Sequence, residues 1–294
     1  MNSLAKQVVI VTGAGKGLGQ AYAIHLARLG AQVLVNNRRH PGELDAETSA
    51  MQTVNMIRQQ GGQAEPNYTD VTDPTSGTVM VEHACTHFGN LHGIVANAGI
   101  ERLGRFESLS DDDFKQIFDT SFFGSLYLIR AAWQHWQHTG FGRAVLTSSG
   151  AGLYGNHGQV AYSAAKAAVI GLVRALAIEA DTRDICINAV APYAYTAMTR
   201  PHLSADDATK LDPSDIAPLI SYLMSSQCTL SGETLVSAGG LIRRAYTREG
   251  RTVMLSDDVV TSINTLMGDE GASFESASAS FGDLFKTIRD AQEK

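Results

Sequence analysis

Four of the seven residues from Gly13 to Gly19 are glycine, and they follow directly on the apolar run VVIVT. No other stretch constrains the fold as much. The β-branched run suits a buried strand, and residues 17–29 beyond the glycines carry a helical pattern. A glycine-rich turn from strand to helix exposes backbone N–H groups at a helix N-terminus, where they can hold a pyrophosphate. The spacing is TGxxxGxG, through Thr12, Gly13, Gly17 and Gly19, with Lys16 and Leu18 in the same turn. The GxGxxG spacing of many dinucleotide folds fails, because position 18 is Leu and position 20 is Gln. A tight turn with no ligand is the plainer alternative.

The alternation that starts there continues. Residues 7–12, 31–36, 91–97, 143–148 and 184–190 are short apolar runs expected to be buried strands, and 63–68 is a weaker one. Between them, 17–29, 43–60, 74–88, 110–138, 160–181 and 213–225 have helical patterns. Strand–helix alternation of this kind implies a parallel sheet covered on both faces. With right-handed crossovers the fold class is α/β, a Rossmann-type doubly wound parallel sheet that binds ligands at the carboxyl ends of its strands. One such domain is expected over 1–245, followed by a tail, 246–294. In the tail a helix over roughly 256–267 precedes a Gly/Ala/Ser-rich linker at 268–280. Phe281, Leu284, Phe285 and Ile288 then take the spacing of a second amphipathic helix.

The 294 residues carry a net charge of −7, and Arg38-Arg39 and Arg243-Arg244 are only pairs, so nucleic acid is not an expected partner. Cys85, Cys186 and Cys228 are isolated and odd in number. They form neither a metal-binding CxxC nor a disulfide framework and are expected as small buried residues. The first apolar run is too short for a secretory signal, and no stretch reaches the ~18 apolar residues of a membrane span. A cytoplasmic protein with no membrane partner is the expectation.

The second strand ends Asn36-Asn37-Arg38-Arg39. A dinucleotide site meets the adenosine ribose there. An acid would bind the 2′-hydroxyl and repel a 2′-phosphate. Asn37 brings no charge, while Arg38 and Lys16 can pair with a phosphate. NADP(H) is therefore preferred to NAD(H) as the expected cofactor, and two solvated basic residues are the alternative.

Tyr162 and Lys166, in YSAAK, are four apart on an expected helix and share a face. A phenol has a pKa of ~10. A nearby cation favours its ionised form. Bringing the pKa to near neutrality takes about 4 kcal/mol, and the phenol would then serve as an acid/base catalyst. Ordinary packing beside a solvated lysine produces the same spacing.

TGAGKGLG, ANAG at 96–99, the serine 13 residues before Tyr162, and YSAAK together make residues 5–245 resemble the short-chain dehydrogenase/reductase family. The resemblance implies that Tyr162 exchanges a proton with the alcohol or carbonyl oxygen. Lys166 would lower the phenol pKa and bind the nicotinamide ribose, and Ser149 would orient the reacting oxygen; Ser148 is the neighbouring candidate. Gly13, Gly17 and Gly19 would line the phosphates. Asp70 and Val71 would border the adenine, and Asn97, with Ala98 and Gly99, would lie near its ribose. Pro192 would open the segment over the nicotinamide, with Thr196 a contact. Ser121 stands where the family often has an asparagine that holds a proton-relay water. Ala96 replaces the first Asn of the usual NNAG, and Tyr193 the usual Gly after Pro192.

Three stretches, the one from Ala131 to Lys166, APYAYTAMT and SAGGLIRRAYTREG, resemble the (3R)-hydroxyacyl-CoA dehydrogenase units of multifunctional β-oxidation enzymes. This implies a 3-hydroxyacyl-CoA or 3-oxoacyl-CoA substrate. A steroid or other bulky alcohol is the alternative, and a non-catalytic NADP-binding regulator a further one. A homodimer or homotetramer paired through the helices at 110–138 and 160–181 is also implied. No metal is expected. His83/His87 and His135/His138 have metal-compatible spacing but no third ligand in sequence. Asp111-Asp112-Asp113 after Ser110 suits a helix cap. Trp133 and Trp136 are expected to pack, and His157 precedes Tyr162 in a loop within reach of substrate.

Overall fold

The computed structural model describes residues 4–180, 183–204 and 208–253, and residues 263, 271–274, 279–280, 283–284 and 286 of the tail. The chain divides into two compact units, Met1–Arg244 and Ala245–Lys294.

The first unit opens with β1 (Val8–Thr12), α1 (Gly17–Arg28), β2 (Gln32–Asn36), α2 (Ser49–Gln59) and β3 (Gln63–Asn67). Next come α3 (Ser76–Phe88), β4 (Gly93–Ala96), α4 (Asp111–Phe118), α5 (Gly124–Thr139), β5 (Phe141–Thr147), α6 (Gly150–Tyr154) and α7 (Val160–Ala180). It closes with β6 (Asp184–Pro192), α8 (Ala217–Met224), β7 (Thr234–Ala238) and β8 (Leu241–Ala245). The sheet order is β3-β2-β1-β4-β5-β6-β7-β8, and the six pairings from β3 to β7 are parallel. This is the expected doubly wound α/β sheet.

Both faces of the sheet are buried at its centre, which is why β1, β2 and β4 are largely apolar. In β1 alternate residues divide between two cores. Val9 and Val11 join Tyr22, Leu26, Val54 and Ile220, from α1, α2 and α8. Val8 and Ile10 join Met80, Leu128, Trp136 and Val169, from α3, α5 and α7. The order reverses between β1 and β4, so the loops at their carboxyl ends part and leave a crevice.

Four features differ from expectation. β7 and β8 were not anticipated; they are joined by Gly239-Gly240, both at positive φ (52° and 74°), a two-residue link that returns the chain antiparallel along the sheet edge. The helix expected over 110–138 is interrupted by a π-helical segment, Asp119–Phe123, which buries Ser121. π-bulges of this kind are frequent at functional sites. Third, α7, with 21 residues and a mean hydropathy of 1.5, is long and apolar enough to cross a membrane. Its buried residues Val169 and Val173 join the core against the sheet. Fourth, within the expected linker Gly271–Ala272 pair antiparallel with Glu249–Gly250. The two expected tail helices fall largely outside the described residues.

Ser110 accepts from the backbone N–H of Asp113, whose carboxylate accepts from Ser110 in return, so the acidic run starts α4 as a capping box. Trp136 is buried and donates to the Leu91 carbonyl at 3.1 Å.

Candidate active site

The glycine turn is shaped for close approach. Gly13 and Gly17 take φ of 62° and 58°, values at which a side chain is strained. A Cβ on Gly19 would collide with the Gly13 carbonyl and come within 2.7 Å of Asn97 Nδ2. α1 starts after the exposed Lys16, whose extended backbone offers no side-chain cap, so the first-turn N–H groups keep their donors free of side-chain partners. Thr12 Oγ1 accepts from the N–H groups of Asn97 and Ala98 at 3.0 and 3.1 Å, and Asn97 Nδ2 donates to the Thr12 carbonyl at 3.1 Å. Thr12 and Asn97 therefore tie the end of β1 to the end of β4. The Asn97 amide, expected beside a ribose, is engaged in holding the turn.

A cleft of about 640 Å³ opens from this turn, lined among others by Gly13, Asn37, Arg38, Asp70, Val71 and Gly99. Asn37 Nδ2 donates to Ser49 Oγ at 2.9 Å. Asp70 accepts from the Thr72 N–H and hydroxyl and lies 3.7 Å from Arg38 Nη1. Arg39 points elsewhere: it pairs with Asp45 and lies over the Tyr68 ring at 4.3 Å. An uncapped helix N-terminus, two positive-φ glycines and a polar cleft beside the strand reversal fit the pyrophosphate and adenosine of a dinucleotide.

At the other end of the crevice stand the residues with acid/base chemistry. Ser149 follows β5 and caps α6, its hydroxyl accepting from the Ala151 N–H at 3.1 Å. The same hydroxyl lies close enough to the Tyr162 phenol to pull its pKa down. Ser148 is buried and donates to the Lys166 carbonyl at 2.8 Å, so it holds α7 against β5 and is not available to a ligand. Tyr162 and Lys166 share a buried face of α7, with Lys166 Nζ 5.7 Å from the centre of the Tyr162 ring.

The ionisation of this pair runs opposite to expectation. Burial pushes the Tyr162 phenol up to about 12; the Ser149 hydroxyl pulls it down and the Glu101 charge pushes it further up. Burial also lowers the Lys166 ammonium to about 8. Desolvation disfavours the charged form of each group and outweighs their spacing on the helix. Lys166 Nζ donates to the Thr147 carbonyl at 2.8 Å, while Thr147 Oγ1 is buried without a partner.

The remaining expected residues cluster around these two groups. A Cβ on Gly99 would lie 3.4 Å from both Lys166 Nζ and Ser121 Oγ, so this glycine leaves room between them. Ser121 is fully buried, with its hydroxyl 3.4 Å from both the N–H and the carbonyl of Ile100. Pro192 ends β6, and the chain beyond it brings Thr196 to 3.5 Å from where a Cβ of Gly17 would be. His157 is exposed in the loop before Tyr162. The paired histidines have other engagements: His83 faces Asn67 Nδ2 at 3.0 Å and His135 faces Asn90 Oδ1 at 2.7 Å.

Two residues of the site were not anticipated. Gln159, three before Tyr162, donates to the carboxylate of Glu101, and Glu101 lines the cleft. The signal in the sequence was a carboxylate two residues beyond ANAG, but its partner is 58 residues away.

A parallel sheet reversed beside a glycine turn, with a serine, a tyrosine and a lysine converging at its carboxyl edge, defines a dinucleotide-binding α/β protein equipped for proton transfer. The sequence pattern of the short chain dehydrogenase family matches residues 7–207, and the chain belongs to that family, whose members are NAD(P)-dependent oxidoreductases acting on small molecules. A Mycobacterium tuberculosis protein described as a short-chain type dehydrogenase/reductase is 35% identical over 277 residues, covering 94% of this chain and 90% of its own. Peroxisomal multifunctional enzyme type 2 of Mus musculus is 40% identical over 238 residues. That match takes in 80% of this chain and 32% of the mouse enzyme, so the similarity concerns about a third of that longer protein. The crystal structure of a short chain dehydrogenase from Mycobacterium avium superimposes with a TM-score of 0.83 at 29% identity, covering 92% of this chain and 98% of that one.

Proposed function

We propose that the protein transfers a hydride between NADP(H) and the secondary alcohol or ketone of a 3-hydroxyacyl-CoA/3-oxoacyl-CoA substrate. The observation that carries the substrate class is the 40% identity to the peroxisomal multifunctional enzyme over 238 residues, a region that here holds Ser149, Tyr162 and Lys166 in one site. NADP(H) is favoured over NAD(H) by the exposed Arg38 and the uncharged Asn37 at the end of β2.

The residues divide the work as follows. The reduced nicotinamide supplies the hydride when bound. With its phenol held up to about 12, Tyr162 is neutral at physiological pH and starts as the acid that protonates the carbonyl oxygen. The Ser149 hydroxyl, beside the phenol, donates to that same oxygen and fixes its direction. Lys166, whose carbon stem is buried, holds a positive charge beside the ring as the phenol gives up its proton. Ser121, across Gly99 from Lys166 Nζ, is the residue through which a proton returns to the site. The outer faces of α5 and α7 would pair copies of the chain into a homodimer or homotetramer.

Steady-state kinetics on a panel of 3-oxoacyl-CoA, ketosteroid and small-ketone substrates, each with NADPH and NADH, tests the reading. The highest kcat/KM is expected on an acyl-CoA, and no turnover of any acyl-CoA would reject it.

A further inference from the structure

The loop after β4 is stitched to the loop that carries Tyr162. Gly104 donates its N–H to the Gly158 carbonyl at 3.0 Å, and Gly104 forms a parallel bridge with Gln159. Gln159 Nε2 donates to Glu101, which fixes where that carboxylate points. Glu101 lies in the cleft next to Gly99 and Ile100, and its charge reaches the Tyr162 phenol. The cations nearby are committed elsewhere. Arg102, the next residue, faces α4, with Nε 3.1 Å from Asp113 and Nη2 2.9 Å from Gln116. Lys166 is buried against the Thr147 carbonyl. Among the described residues no cation pairs with Glu101.

We infer that Glu101 is a specificity-determining residue: a negative charge, tied by Gln159 to the loop that leads into Tyr162, that admits neutral carbonyl compounds and turns away those bearing a carboxylate next to the carbonyl. A free 3-oxo acid carries its carboxylate one methylene from the carbon that is reduced. In a site where Tyr162 and Ser149 hold that carbonyl, the carboxylate comes near Glu101 in partly desolvated surroundings, and like charges repel there more strongly than in water. An ester or thioester of the same acid is neutral at that position and keeps its polar atoms for hydrogen bonding. The enzyme therefore acts on esterified acids and discriminates against the free acid. The inference rests on Tyr162 as the proton-transfer residue and deepens the acyl-CoA reading without requiring it.

The test compares ethyl 3-oxobutanoate with 3-oxobutanoate at saturating reduced cofactor, as a ratio of kcat/KM. Wild-type enzyme is expected to prefer the ester. Glu101→Gln, which keeps a hydrogen-bonding partner for Gln159, is expected to raise the acid-to-ester ratio about tenfold, and Glu101→Asp to keep it near wild type. A merely structural role for Glu101 would lower both substrates together and leave the ratio unmoved. If both compounds turn over poorly, their inhibition constants against the best panel substrate carry the same comparison. Wild-type enzyme alone gives a second check: its preference for the ester is expected to shrink between about 0.02 and 0.5 M salt. Equal handling of acid and ester by the wild type, or a ratio unchanged in Glu101→Gln, would overturn the inference. A shifted ratio without acyl-CoA turnover would reject the substrate reading and leave Glu101 standing.

Discussion

Lys166 Nζ donates to the Thr147 carbonyl at 2.8 Å and stands 5.7 Å from the centre of the Tyr162 ring. The bond crosses from α7 to the end of β5 and places an ammonium where burial brings its pKa to about 8. An unfolded chain would hold that proton up to about 10.4. Below pH 8 both states are protonated, and the folded protein bears the full cost of the buried charge. Between pH 8 and 10 the unfolded state binds more protons, so stability rises with pH. Lys166→Met removes this slope. Urea unfolding without added cofactor is expected to show wild type gaining on the variant from pH 8 to 10, by up to about 3 kcal/mol. Parallel curves for the two proteins would contradict the buried ammonium. The window stops near pH 10 because Tyr162, raised to about 12, then destabilises the fold as the unfolded phenol ionises first.

The same phenol sets the direction of proton flow. Reduction uses the neutral form, which dominates at pH 7, so kcat/KM for reduction is expected to change little from pH 6 to 8. Oxidation needs the phenolate and is expected to rise about tenfold per pH unit between 6 and 8, and less steeply above 8, where Lys166 loses the charge that favours the phenolate. Tyr162→Phe abolishes the donor while preserving the ring. It is expected to cost about 10²–10⁴-fold in kcat with cofactor affinity near wild type, as read by fluorescence titration. Survival of wild-type turnover in that variant would show that the acid lies elsewhere.

Gly19 is held by backbone it cannot push aside. Its Cβ would meet the Gly13 carbonyl and lie 2.7 Å from Asn97 Nδ2, the amide that ties the turn to β4. Gly19→Ala must therefore move either the turn or the suture. A loss of about 1–3 kcal/mol in stability is expected, together with weaker dinucleotide binding, because the N–H groups of the turn shift with it. Thermal unfolding and cofactor titration read the two effects separately. An unchanged melting temperature with unchanged affinity would mean that the close approach at Gly19 is relaxed in solution.

These relationships mark how far sequence reasoning reaches. TGAGKGLG and YSAAK were legible because their geometry is local: a strand-to-helix turn and a four-residue helical spacing are set by neighbouring residues. The π segment at Asp119–Phe123 was not, since a single wide turn leaves the helical pattern on either side almost unbroken. β7 and β8 were missed because TLVSA and LIRRA are short, and the second is largely exposed and lacks the apolar signature of a central strand. The pKa directions of Tyr162 and Lys166 depend on burial, which a spacing of four residues does not report. Glu101 acquires its place only through Gln159, far away in the chain.

Arg38 and Asp70 face each other at 3.7 Å with side chains 59% and 43% exposed. A pair held so loosely in water contributes about 0–1 kcal/mol, so little is lost when Arg38 turns from Asp70 to a phosphate. A charge-assisted bond from a guanidinium to a 2′-phosphate contributes about 1.5–3 kcal/mol. Arg38→Ala is therefore expected to weaken NADPH binding by about 10–100-fold and NADH binding by about twofold or less. Asn37→Asp makes the complementary change. Its carboxylate gives up the Nδ2 donation to Ser49 Oγ and accepts from that hydroxyl instead, supplies an acid for the ribose 2′-hydroxyl, and repels a 2′-phosphate. Titration of the nicotinamide fluorescence in both variants should move the NADPH/NADH affinity ratio the same way, toward NADH. A ratio that stays put in both would show that the end of β2 does not read the 2′ position, and the preference for NADP(H) would fall with it.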